Sequence, residues 1–153
     1  MSKYSLRQAT HDDYDFLYQL HATTIREYVE TTWGWEEAWQ QEYFARKFDP
    51  DARQIIQIDG QDAGVIVIEQ RDEELFIGLI EICPRFQRRG VGTALIQHYI
   101  YDAHASGLPA SLHVLKSNTP ARRLYERLGF AIVAEEKYRY KMVCPPQSRG
   151  KQQ

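Results

Sequence analysis

Apolar positions recur along this chain in two different periods, and the switches between them mark out the predicted elements. "YSLRQA" reads as a short strand over Tyr4–Ala9. "THDD" follows, with Thr10 placed as an N-cap and Asp13 three residues on, a capping-box variant. Tyr14, Leu17, His21, Ile25 and Tyr28 then recur at helical spacing and form one face of a first helix. From Trp35 the Glu-, Gln- and Ala-rich composition predicts a second helix. "ARQIIQIDGQDAGVIVIEQ" holds two β-branched runs around Asp59-Gly60, a hairpin cue whose loop could extend to Gly64. "ELFIGLIEICP" is a buried strand ending at Pro84. Val91 to Ala105 is helical, with Val91, Leu95, Tyr99 and Ala103 on one face. "ASLHVLK" is a fifth strand. "SNTPARRLYERLGF" is a compact helix capped by Ser117, Asn118 or Thr119, with Pro120 in its first turn and Gly129 at its end. "FAIVAEE" and "YRYKMV" close the chain's pattern as a strand pair.

The predicted order is β-α-α-β-β-β-α-β-α-β-β, an α/β or α+β sheet with helices on its faces. Composition adds bounds. At 153 residues, 43% hydrophobic and 26% charged, the chain suits one globular domain, expected over residues 1–144 with a disordered polar tail over 145–153. A net charge of −2 supplies no general attraction for nucleic acid or anionic lipid, so any basic patch acts locally. Two cysteines and five scattered histidines fit neither a disulfide framework nor a metal motif, and no metal is expected. No run approaches the roughly 18 apolar residues of a membrane span, and the first residues lack an apolar leader core. The expected location is the cytoplasm.

Candidate chemistry centres on "RFQRRGVGTALI", Arg85 to Ile96. A buried strand runs into a turn rich in arginine and glycine, and a helix follows. Free N–H groups in a first helical turn carry partial positive charge and suit a phosphate. Gly90 and Gly92 let a ligand approach the backbone, while Arg88 and Arg89 add charge. The spacing is neither that of a Walker P-loop nor that of the Rossmann fingerprint. Pyrophosphate binding and a plain loop with exposed arginines both remain open on these residues alone.

"QRRGVGT" resembles the Q/R-x-x-G-x-G/A motif of the GNAT superfamily of acetyl-CoA-dependent N-acetyltransferases. "YSLRQATHDDYDFL" is similar to the superfamily's opening strand and helix, "LIEICPRF" to its central strand, and "NTPARRLYERLGF" to its Asn…A-x-x-L-Y-x-x-x-G-F segment. The likeness covers residue 4 to about residue 143 in the expected order. It implies a GNAT-like mixed, mostly antiparallel sheet of about six or seven strands with about four helices. It also implies acetyl-CoA as cosubstrate, an amine acceptor and direct attack in a ternary complex. A homodimer is compatible with it. The resemblance places Gln87, Arg88, Arg89, Gly90, Val91, Gly92 and Thr93 on the pyrophosphate. It places Ile82 and Cys83 beside the thioester, with the Ile82 N–H on the acetyl carbonyl. It puts Asn118 on the cofactor and makes Tyr125 the general acid for the departing thiolate, although Tyr125 also has core helical spacing.

The base is read from the residues. Glu81 lies in a run otherwise without charge, "LFIGLIEIC", and a carboxylate there needs a partner or a wet cavity. It is a candidate base acting directly or through water; the other reading pairs it with an arginine on the opposite pleat face. The family's bases often lie earlier on this strand, where this chain has Phe76 and Gly78. Trp33, with Gly34 and Trp35, falls where the superfamily builds its acceptor pocket, and Glu30, Glu36 and Glu37 lie near it in sequence. At least one of Trp33, Trp35 and Trp39 is expected to be core filler. His21 reads as a packed helix residue. The alternative function is a non-catalytic acyl-CoA-binding or sensor module on the same fold.

Overall fold

A computed structural model of the chain describes residues 3–146, so residues 147–153 of the expected tail lie outside it. The elements are β1 Tyr4–Gln8, α1 Tyr14–Thr32, α2 Glu37–Lys47, β2 Gln54–Ile58, β3 Gln61–Gln70, β4 Leu75–Ile82, α3 Val91–Ala105, β5 Ala110–Leu115, α4 Thr119–Arg127, β6 Ala131–Glu135 and β7 Arg139–Cys144. Seven strands form one mixed sheet in the order β1-β2-β3-β4-β5-β7-β6. β1 with β2, β2 with β3, β5 with β7 and β6 with β7 run antiparallel, whereas β4 and β5 run parallel. The predicted element order and the predicted bounds of α3 are both found.

The described residues divide into two compact units, one of residues 3–67 and 79–92, the other of residues 68–78 and 93–146. In the first, the entry into α1 is fixed by charge. Arg7 donates to both carboxylate oxygens of Asp13, at 2.7 and 3.0 Å, and to Asp62 at 2.8 Å. Asp13 also accepts from the Thr10 N–H at 2.8 Å, which completes the predicted capping box. Behind this entry, α1 and α2 bury Leu17, Tyr18, Leu20 and Phe44 with Ala9, Ile55 and Val65. A fully buried Leu or Ile of this kind contributes roughly 1.5–3 kcal/mol. Edge-on rings fill the remainder, with Tyr14 4.9 Å from Phe48 and Tyr18 5.3 Å from Phe44.

The β2–β3 loop is confined to Asp59 and Gly60, both at positive φ (51° and 80°), and pairing resumes at Gln61. Gly64 therefore belongs to the ladder rather than the loop, opposite Ile56. A Cβ on Gly64 would stand 2.4 Å from the carbonyl oxygen of Glu81, so β3 and the end of β4 approach at a distance only glycine permits.

In the second unit, β5 buries Ala110, Ser111, Leu112 and Val114. The Ser111 hydroxyl donates to Glu74 at 2.6 Å, and Arg71 and Lys141 reach the same carboxylate at 2.8 and 3.1 Å. β6 is exposed along all five residues, including Ile132 and Val133. Among the described residues no helix is long and apolar enough to cross a membrane, and no group of three or more His, Cys, Asp or Glu side chains could hold a metal ion.

Candidate functional site

In the first unit the site grows from the end of β4. The Cys83 N–H donates to the Ala63 carbonyl at 2.8 Å, so that residue faces β3. Strand alternation turns the N–H and C=O of Ile82 the opposite way, away from β3. The Gln87 side chain then reaches back and donates to the Ile82 carbonyl at 2.8 Å. Pro84–Phe86 forms a single 3-10 turn, and the chain passes through Gln87, Arg88, Arg89 and Gly90 into the first turn of α3.

Two residues of this loop are left-handed, Arg88 at φ 63° and Gly90 at φ 81°. For arginine that conformation costs on the order of 1 kcal/mol, so the surrounding structure holds it there. Left-handed residues within a turn aim successive N–H groups to one side, a geometry that receives anionic oxygens. Arg89 is secured by its guanidinium 5.0 Å over the Phe86 ring and by Asp59 at 3.6 Å. A Cβ on Gly92 would meet the Ile82 side chain at 3.3 Å, so the glycine leaves the loop's inner wall open. Cys83 is half-buried against the α1–α2 core; burial pushes its thiol up, partly offset by the nearby Arg85. Its surroundings disfavour the thiolate that a nucleophilic cysteine needs.

Glu81 is buried, and Leu79 and Cys83, two residues to either side, pack on the α1–α2 cluster. Its partner comes from α1: His21 Nδ1 lies 2.8 Å from Glu81 Oε2. The arginine-pair alternative is thereby corrected to a histidine pair on the helix-facing side of the strand, with the charge of Arg53 also acting on Glu81. Sequence reasoning set His21 aside as a packed residue; the one available signal was its place on the buried face of α1. The expectation that a tryptophan fills the core also fails. Trp33 and Trp39 are 55% and 53% exposed, and Trp35 is half-buried beneath Arg26 at 5.3 Å. Trp39 stacks on Tyr43 at 4.9 Å.

In the second unit, Thr93 continues the first turn of α3. Asn118 is the N-cap of α4, accepting from the Ala121 N–H at 3.3 Å. Tyr125 follows two turns later. No residue of α4 is fully buried, and Tyr125 is half-buried, with its ring packed toward the core. Its ring meets Phe130 edge-on at 5.9 Å, and desolvation pushes its phenol up to about 12.

The chain matches the acetyltransferase (GNAT) family over residues 14–130. It belongs to that family. Among curated relatives, an uncharacterized N-acetyltransferase of Methanocaldococcus jannaschii is 29% identical over 137 residues, 83% of this chain and 60% of that protein. The [ribosomal protein bS18]-alanine N-acetyltransferase of Escherichia coli is 34% identical over 73 residues, 47% of this chain and 49% of that enzyme. This GNAT chain therefore spans between half and three-fifths of the length of these relatives. Its fold is also that of the PaiA N-acetyltransferase of Thermoplasma acidophilum, solved with coenzyme A, at a TM-score of 0.75 and 12% identity over 94% of this chain and 99% of that one.

Proposed function

We propose that this chain is an acetyl-CoA-dependent N-acetyltransferase that acetylates a primary amine of a small molecule or protein by direct attack in a ternary complex. The observation that carries this is the loop leaving β4, with its two left-handed residues, its open wall at Gly92 and its continuation into the N-terminus of a 15-residue helix. Those features fit a pyrophosphate, and the family and the N-acetyltransferase names of its relatives add the thioester chemistry. Acetyl-CoA supplies an activated acetyl group and a thiol leaving group.

The chain's own residues divide the remaining tasks. Gln87, Arg88, Arg89, Gly90, Val91, Gly92 and Thr93 cradle the pyrophosphate, the N–H groups providing the main contacts and the arginines assisting. The Ile82 N–H, which faces away from β3, orients and polarises the acetyl carbonyl, with Cys83 packing beside it. Asn118 contacts the pantetheine arm. Tyr125, whose phenol keeps its proton at any working pH, protonates the sulfur. A lysine-like amine has a pKa of about 10.4 and must lose a proton to attack, and Glu81 marks the end of β4 that receives it. Trp33 borders the acceptor, where an aromatic face favours a cationic amine.

The test is thiol release from acetyl-CoA against a panel of polyamines, amino acids, aminoglycosides and N-terminal peptides. Amine-dependent thiol release with matching acetylated product is expected. Acetyl-CoA binding with no amine-dependent release would replace this reading with that of an acyl-CoA-binding module.

A further inference from the structure

Glu81 is poorly placed to meet an acceptor amine itself. Its side chain is only 7% exposed, and Oε2 is engaged by His21. The imidazole is the more open member of the pair, 23% exposed. Its Nδ1 faces the carboxylate, and in the neutral ring a carboxylate partner fixes the proton on that nitrogen. The lone pair is then on Nε2, on the far side of the ring from Glu81. Phe44 flanks the ring at 5.6 Å between centroids. The charge of Arg53 also acts on Glu81; its guanidinium lies 5.8 Å over Phe44 and 5.6 Å over Phe48 and donates to the Asp49 carbonyl. A buried carboxylate behind a partly exposed imidazole is the arrangement that makes a histidine an oriented proton acceptor.

We infer that His21 is the catalytic base, taking the acceptor's proton on Nε2, and that Glu81 is a positioning residue that holds the imidazole through Nδ1. This inference rests on the acetyltransferase reading and deepens it. The acceptor's ammonium proton leaves first, by way of His21 Nε2 to solvent, and the neutral nitrogen then forms its bond to the acetyl carbon as the carbon–sulfur bond breaks. The nitrogen's second proton also passes to His21 Nε2 and on to solvent, while the sulfur takes one from Tyr125, which solvent replaces. Glu81 exchanges no proton.

The experiment starts from wild-type protein with an amine that supports thiol release, so a failure of the acetyltransferase reading shows itself first, as no turnover with any amine. With turnover established, kcat and KM are measured for His21→Gln, His21→Ala with and without added imidazole, Glu81→Gln and Glu81→Asp. Acetyl-CoA affinity and melting temperature serve as fold controls. His21→Gln is expected to lower kcat by about 100-fold or more, with an unchanged KM for acetyl-CoA. Added imidazole is expected to restore part of the His21→Ala rate, and Glu81→Asp to retain more activity than Glu81→Gln. A folded His21→Gln protein with wild-type kcat would overturn the inference. So would a His21→Ala rate indifferent to imidazole, which a purely structural histidine predicts. Should His21→Gln fail to fold, the imidazole response of His21→Ala and the ranking of the two Glu81 variants decide the question.

Discussion

The two ends of β4 each carry a buried or half-buried carboxylate, and they are built in opposite ways. Glu74, just before the strand, accepts from Ser111 and pairs with Arg71 and Lys141. Burial alone would push its carboxyl up, but these three partners outweigh it and hold the group at about 2. Such a carboxylate is saturated and has no affinity left for a proton at neutral pH. Glu81, near the other end, meets one imidazole through one oxygen, and that imidazole is partly open. The contrast separates a carboxylate that holds a fold from one that orients a reactive group. Burial is common to both; what differs is whether the partner is a fixed cation or a group able to take up a proton.

Tyr125, the proposed acid, gives the largest expected effect after the His21 variants. Tyr125→Phe removes the proton donor while keeping the ring on Phe130, and kcat is expected to fall about 100-fold with little change in acetyl-CoA affinity. Wild-type kcat in that variant would remove Tyr125 from the reaction and leave the Glu81 end of β4 as the sole site of proton transfer.

The proposed cofactor loop gives the next effect and tests whether binding and chemistry are separate. Gly92→Val places bulk where even a Cβ meets Ile82 at 3.3 Å, whereas Arg88→Ala removes only an assisting charge. The acetyl-CoA dissociation constant is expected to rise about tenfold or more for Gly92→Val and about threefold for Arg88→Ala, by calorimetric titration. Equal constants would contradict a cradle made of backbone.

Glu74 gives a smaller, purely structural effect. Its folded pKa lies below the unfolded value of 4.5, so its stabilisation is complete above that pH and is lost as pH falls toward about 2. Urea midpoints taken between pH 5.5 and 2.5 are expected to fall more steeply in wild type than in Glu74→Gln, by up to ~2 kcal/mol after allowance for solvent screening. Parallel curves would mean that Glu74 is not held as described. The smallest effect belongs to Trp39→Ala: the ring is half exposed and stacks on the exposed Tyr43, so stability is expected to change by about 0.5 kcal/mol.

The β4 contrast also explains what could be read from the chain alone. The elements came through because each has a local signature: the capping box at Thr10 and Asp13, the Asp59-Gly60 turn, the helix start at Val91. The turn from β4 into α3 was legible because its residues are contiguous, and its left-handed positions at Arg88 and Gly90 are local backbone features. Glu81 stood out as a charge in an apolar run, yet its partner lies 60 residues earlier on α1, and helical periodicity cannot tell a packed histidine from a paired one. The tryptophans misled for the same reason. Apolar bulk predicts burial on average, but Trp33 and Trp39 fall around the α1–α2 corner, where nothing among the described residues covers them fully.

The most direct test of the account sets the two carboxylates side by side, as kcat for Glu81→Gln and Glu74→Gln at saturating acetyl-CoA and amine. Glu81→Gln is expected to lose at least about tenfold, and Glu74→Gln to stay within about twofold of wild type. Equal rates in the two variants would contradict the assignment of proton transfer to the Glu81 end of β4.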